Sequence, residues 1–260
     1  MTVYLHALRT ECRRAFTSPG FFLASAAVSV VLFLGAWRDI AFGEGSVVYY
    51  YSVALSENFF ILFILLCTLP HATSFCADWN SQFIKPYVIR TSLRRYQAAK
   101  VFACALSGAC SVALGQIIFI GSLLLYFPVM PVGGLENTAA SPLYRTLLEQ
   151  GHVALYFAAL VLTRALCGGV FSLLALCVST AIPNLFVVVA APMLCYYAIV
   201  NLTFRLGLPS WLLIHKVYES QCNIGSPLAS FLYVVLFSLF LSIVLGIVFV
   251  FGTKRRFERG

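Results

Sequence analysis

Long runs of apolar residues alternate along this chain with short polar or proline-containing segments. A helix needs about 20 mostly apolar residues to cross the roughly 30 Å hydrocarbon core of a bilayer. Six segments approach or exceed that length, at about 20–37, 53–76, 101–127, 153–181, 184–204 and 228–252. The pattern predicts an all-α membrane protein with six transmembrane helices in a single domain over residues 1–260.

The residues before the first apolar segment predict a helix of a different kind, over 4–16. Arg9 and Arg13 lie off its apolar stripe, as in helices that lie in the membrane interface. Ser18-Pro19-Gly20 then breaks this helix before the chain enters the bilayer. The stripe consists of Leu5, Leu8, Cys12, Ala15 and Phe16.

The connections between segments carry further signals. Ile182-Pro183 leaves room only for a tight turn, so the fourth and fifth helices are expected to be antiparallel neighbours. Pro70 and Pro192 are expected to kink the second and fifth helices. The longest outer loop, 128–152, is predicted to be irregular in its first half and to form a short helix at PLYRTLLEQ.

Composition excludes a soluble protein. The chain is 61% hydrophobic and 10% charged, with a mean hydropathy of +0.93, whereas soluble domains average about 25% charged residues. Most of the nine cysteines fall inside apolar runs, where cysteine acts as a small hydrophobe, and their spacing predicts neither a metal site nor a disulfide framework.

The charges are unevenly distributed between the two predicted sides of the membrane. Twelve of the seventeen Lys and Arg, but only three of the nine acids, fall in the N-terminal segment, the loop after the second span and the C-terminal tail. Because cytoplasmic loops carry the excess of Lys and Arg, we expect both termini to be cytoplasmic in a multi-pass protein of the bacterial plasma membrane. The net charge of +8 is therefore a topology signal, and no nucleic-acid partner is indicated.

Motifs for chemistry are missing from the sequence. It contains no GxxxxGK[ST], GxSxG or HExxH, so it predicts no nucleotide site of its own, no catalytic residue and no metal ligand. Two ionisable residues within spans stand out: Arg164, about a dozen residues into the fourth, and Glu57, in the outer end of the second. Ionisable groups at such depth usually face a bundle interior or a partner charge. Both are candidates for a transport path and for an ion pair; the alternative for Arg164 is a side chain that snorkels to the interface.

The polar loop FCADWNSQFIKPYVIRTSLRRYQAAK, residues 75–100, mixes charges with apolar residues. Ile84, Tyr87 and Val88 have the i, i+3, i+4 spacing that places side chains on one helix face. Lys85, Arg90, Arg94 and Arg95 are expected to flank that face, and Lys100 to mark the start of the third span.

This loop is similar to the first cytoplasmic loop of bacterial type-2 ABC transporter permeases. An acid at Asp78, the Phe83-Ile84-Lys85 step, Arg94-Arg95 and a final Lys100 carry the resemblance, together with the layout of an interfacial helix and six spans. The sequence departs from that pattern at Gln82, where the family usually has glycine, and at Pro86, where asparagine is common.

The resemblance implies a permease subunit that pairs with a second permease chain, as a homodimer or a related pair, and docks a separate ABC ATPase. ATP and magnesium would bind to the ATPase, and no cofactor to this chain. The exported substrate would be a lipid, a peptide or a drug-like molecule. The residues implied in coupling to the ATPase are Asp78, Phe83, Ile84, Lys85, Tyr87, Val88, Arg90, Arg94 and Arg95. The alternatives are a stand-alone secondary transporter or channel, and then a membrane enzyme.

Overall fold

The computed structural model describes residues 2–43, 45–56, 60–84, 86, 92–130 and 143–259. These residues form helices and connecting turns, without a strand. The α-helices are α1 (Thr2–Phe16), α2 (Pro19–Phe42), α3 (Val47–Ser56), α4 (Phe60–Leu66), α5 (Ser74–Asn80), α6 (Leu93–Leu124), α7 (Arg145–Glu149), α8 (Val153–Ala181), α9 (Leu185–Arg205), α10 (Ile214–Tyr218) and α11 (Pro227–Arg259).

The long helices confirm the all-α membrane class. Among the described residues, α2, α6, α8, α9 and α11 are each long and apolar enough to cross a bilayer. They correspond to five of the six predicted spans, and α8 has the predicted bounds of 153–181. α6 begins earlier than predicted, because its first two turns carry the polar end of the loop.

The segment predicted as the second span, 53–76, contains a bent pair of helices, and the bend lies between α3 and α4, before Pro70. Only together are α3 and α4 long and apolar enough to cross a bilayer, and the angle between them is 79°. After α4 the chain forms tighter turns, in which Thr68 N–H donates to Leu65 O and Leu69 N–H to Leu66 O. Pro70 has no N–H to continue a helix, so the following helix, α5, begins only at Ser74.

The predicted break between α1 and α2 is confirmed. Ser18 is the N-cap of α2, and its Oγ accepts from Phe21 N–H at 3.2 Å. Pro19 occupies the first helical position, where its missing N–H costs nothing. The inward face of α1 contains Ala7, Glu11 and Ala15, so one acid lies on a buried helix face.

Small residues allow α6 to approach both α2 and α8 closely. A Cβ added to Gly108 would lie 2.6 Å from Ser172 Cβ of α8, and one on Gly115 would lie 2.6 Å from Ser25 O of α2. Small residues at helix contacts let backbones approach, which is how helices pack in membranes. The core of the molecule therefore lies along α6, between α2 and α8.

Helices α9 and α11 lie at the outside of the bundle and expose apolar side chains such as Phe186, Phe204 and Phe240. These faces suit lipid, where exposed apolar groups have no cost. Asn184, in the tight turn after α8, caps α9 by accepting from Phe186 N–H at 3.0 Å. The short helix predicted in PLYRTLLEQ is present as α7.

Candidate functional site

A buried lysine joins three helices at one end of the bundle. Lys100 Nζ of α6 lies 2.7 Å from Asp78 Oδ2 of α5 and 3.1 Å from Glu11 Oε2 of α1. All three side chains are buried. A single cation thus bridges two carboxylates that come from different helices.

Three more polar groups complete this network. Arg14 of α1 places Nη2 3.0 Å from Asp78 Oδ1 and Nη1 3.4 Å from Glu11 Oε1. Tyr96 OH donates to Asp78 Oδ2 at 3.0 Å, and His71 Nε2 lies 3.1 Å from Glu11 Oε2. Two carboxylates therefore face the basic side chains of Lys100 and Arg14, so acidic and basic groups are matched in number.

The environment of Glu11 keeps its carboxylate ionised. Burial raises the pKa of Glu11. The hydrogen bond to His71 and the charges of Lys100 and Arg14 together lower the pKa by more than burial raises it, and the resulting pKa is about 2. At neutral pH the network therefore contains a charged Glu11. Buried carboxylates persist in this form only when they are paired and hydrogen-bonded.

Local sequence explains how α1 supplies two members of the network. Glu11 and Arg14 are three residues apart, so both project from one side of the helix. Glu11 is also four residues from Ala7 and Ala15, which form the buried face of α1. That i±4 spacing in α1 is the signal by which sequence reasoning could have found Glu11.

The structure places the implied coupling residues in different environments. Asp78 belongs to the buried network, whereas Arg94 and Arg95 are exposed on the first turn of α6. Ile84 is 1% exposed and packs in the chain's own core with Phe75 and Tyr96. Four of the implied residues lie outside the described part of the chain, namely Lys85, Tyr87, Val88 and Arg90.

Phe83 is a large apolar residue of the loop that is accessible, with 48% of its surface exposed. The guanidinium of Arg14 lies 5.8 Å from the centre of its ring, within the range of a cation–π contact. Phe83 and Arg14 line an open groove of about 510 Å³ together with Asp78. The groove thus connects the loop to the exposed side of the network.

The backbone at Gln82 adopts a left-handed conformation, with φ of +58°. Glycine adopts this conformation without steric cost, and other residues do so at a penalty of about 1 kcal/mol. The structure therefore gives a physical reason why glycine suits this position, which is where the sequence departs from the pattern it resembles.

The C-terminal helix reaches the same end of the molecule. Arg256 of α11 donates to the carbonyls of Thr180 and Ala181, the last residues of α8, with a distance of 3.1 Å to Ala181 O. Its guanidinium also lies 4.7 Å from the ring centre of Trp79. The positive charge is placed at the negative end of the α8 dipole, where it is stabilising.

Of the two transport-path candidates, the structure describes Arg164 but not Glu57. Arg164 lies inside the bundle, 6% exposed, with its guanidinium 4.8 Å from the ring centre of Phe60. Glu57 lies outside the described residues, so its pairing with Arg164 stays a prediction.

Comparisons of the chain with protein-family models, with curated proteins and with solved structures give no match. The fold and the apolar surface define an all-helical membrane protein. The function is therefore inferred from the chain's own residues and their geometry.

Proposed function

We propose that this chain is the membrane-spanning permease subunit of an ATP-driven ABC transporter. A separate ATPase subunit would supply the energy, a second permease chain would complete the transport unit, and the cargo would be an exported lipid, peptide or drug-like molecule. The sequence pattern of the loop supplies the family expectation, and one structural observation favours it over a stand-alone transporter.

That observation is the buried network at the base of the loop. Asp78 lies near the start of the 75–100 loop and Lys100 is its last residue, and the two are ion-paired at 2.7 Å. Both are also linked to α1, through Arg14 and Glu11 respectively. A load applied to the loop would therefore reach α1 and α6 together, because buried ion pairs separate only at high cost. A subunit driven from outside by a partner needs such a link.

The exposed groups beside the network suit a soluble partner. Phe83 offers an apolar ring next to Arg14, and Arg94 and Arg95 offer exposed positive charge on the first turn of α6. An aromatic anchor surrounded by charges that set orientation is typical of protein–protein contacts. The proposed contact therefore centres on Phe83, because Ile84 is already buried within the chain.

Affinity purification from the native host tests the proposal. The wild-type chain should carry with it, in near-equal amounts, a protein with a P-loop ATPase motif, and the purified complex should hydrolyse ATP. Phe83→Asp should release that ATPase. Trp211→Asp is the matched control, because Trp211 is exposed to the same extent (49%) but lies by α10, in a predicted outer segment.

Two outcomes would contradict the proposal. A wild-type chain that transports in vesicles without any ATPase would be a secondary transporter or channel. If the ATPase stays bound to both variants, Phe83 and the groove are not part of the contact.

Orientation in the membrane can be tested separately. With both termini cytoplasmic, a cysteine introduced at exposed Asn223 should react with an impermeant thiol reagent in intact cells. A cysteine at exposed Arg255 should react only after permeabilisation. Labelling above the level of the wild-type chain is the measure, and the reverse pattern would invert the proposed topology.

A further inference from the structure

Arg164 is a charged side chain enclosed by the membrane-spanning bundle. It is the twelfth residue of α8, so at 1.5 Å per residue it lies roughly 16 Å from the start of that helix. Only 6% of it is exposed. The Nε and Nη1 atoms are buried and have no hydrogen-bond partner among the described residues.

The guanidinium borders a small internal cavity. The cavity has a volume of about 10 Å³, which is close to the minimum needed to hold one particle the size of a water molecule. The face of the Phe60 ring covers the guanidinium at 4.8 Å from the ring centre. The wall is otherwise apolar or small, formed by Phe60, Phe63, Ile64, Val112, Cys167, Gly168 and Phe171.

The described residues do not neutralise this cation directly. Glu219 acts on Arg164 electrostatically, but no described carboxylate comes within ion-pair distance of it. Ring contact with Phe60 is a weak attraction. It offsets only part of the cost of taking an isolated charge out of water. Nε and Nη1 are sealed from the surface, so these two donors do not reach water by snorkelling.

We propose that the cavity at Arg164 is a binding site for a single small monatomic anion of the halide class, such as chloride. Nε and Nη1 would donate to the anion, and the small size of the cavity would exclude larger anions. The site lies within α8 and its neighbours α4 and α6, so a bound anion would stabilise the packing of these helices. This proposal is independent of the ATPase contact, which involves the end of the bundle where α8 ends.

Thermal unfolding of the purified protein in detergent tests the site. A thiol-reactive dye reports unfolding, because Cys67 and Cys167 are buried free thiols beside the cavity. Sodium gluconate is replaced stepwise by sodium chloride at constant ionic strength. Saturating chloride should raise the unfolding midpoint of the wild-type protein by on the order of 3 °C or more, as expected for a ligand that binds only the folded state.

Variants separate this site from general salt effects. Arg164→Gln should abolish the chloride response. Arg256→Gln should retain it, because Arg256 is also a partly buried arginine but contacts Trp79 and the end of α8. If Arg164→Gln does not fold, binding of radioactive chloride to the wild-type protein by equilibrium dialysis replaces it, with one anion per chain expected.

Three results would overturn the proposal. Equal chloride responses in wild type and Arg164→Gln would mean a general salt effect. A response that appears only in Glu57→Gln would mean that the carboxylate of Glu57 already occupies the site. No response in either Glu57→Gln or wild type, with no bound chloride in dialysis, would mean that the cavity holds only water.

Discussion

Replacing Lys100 with methionine removes the cation shared by Glu11 and Asp78 and keeps a side chain of similar length. The network would change from two cations and two carboxylates to one cation, Arg14, and two carboxylates. Arg14 cannot replace the lysine fully, because its side chain is 42% exposed and it lies 3.4 Å from Glu11. The variant would therefore leave a net negative charge buried at the junction of α1, α5 and α6.

The expected cost follows from the burial of the partners. Removing one member of a buried ion pair typically destabilises a protein by about 3–5 kcal/mol. Since 1 kcal/mol corresponds to about 2–4 °C for chains of roughly this size, the unfolding midpoint should fall by on the order of 10 °C. Lys254→Met is the matched control, because Lys254 and Glu258 form a pair at 3.9 Å that is 65% exposed on both sides. Loss of such a surface pair should cost about 1 kcal/mol or less.

A double-mutant cycle shows whether charge is the cause. Glu11→Gln in the Lys100→Met background restores two opposite charges, Arg14 and Asp78, so the double variant should be more stable than the sum of the single effects predicts. Unfolding by SDS in mixed micelles gives the free energies, and a coupling of more than about 1 kcal/mol is expected for groups in contact. Additivity within about 0.5 kcal/mol would refute the charge argument and reduce Lys100 to a space-filling side chain.

Three further predictions concern packing, backbone and pH. Gly108→Ala should lower the unfolding midpoint by several degrees because its Cβ would clash with α8, whereas Gly121→Ala on the same helix faces open space and should have little effect. Gln82→Gly should raise the free energy of unfolding by up to about 1 kcal/mol, since it relieves a φ of +58°; no change or a loss in an SDS titration would contradict this. The fold lowers the pKa of Glu11 from 4.5 to about 2. The ionised Glu11 therefore stabilises the folded protein fully above pH about 4.5, and this stabilisation is lost as the pH falls towards 2. It amounts to about 3 kcal/mol, and unfolding midpoints measured from pH 7 to 3 should fall less in Glu11→Gln than in wild type.

The long helices could be predicted because their signals are local. The 153–181 span is predominantly apolar along its whole length and is followed by Ile182-Pro183, so both its length and its end are encoded locally. The bend of 79° between α3 and α4 could not be predicted, because both helices are apolar and average hydropathy does not detect a change of direction. Pro70 indicated a kink, but the extent of the irregular stretch depends on hydrogen bonds that sequence does not reveal.

The buried network could be predicted only in part, because its members are far apart in the chain. Asp78 was implied by resemblance, but as a loop residue rather than as a buried ion-pair partner. Lys100 was expected at the membrane entry of α6, and the structure instead buries it between Glu11 and Asp78. Glu11 lies 89 positions before Lys100 in the sequence, and no periodicity within α1 identifies a partner at that separation.

The buried ionic network is better explained by the helix positions that it fixes than by the stability that it adds. Apolar residues of similar volume often stabilise a protein as well as a buried ion pair does, so three helices could have been joined without charges. An apolar contact, however, tolerates sliding of one helix along another. Lys100 can reach both carboxylates only when α1 and α5 are in one register against α6, because its distances to Glu11 and Asp78 are 3.1 and 2.7 Å. A one-turn shift of about 5.4 Å in α1 would break the contact between Lys100 and Glu11, so the charges fix the positions of α1 and α5 relative to α6.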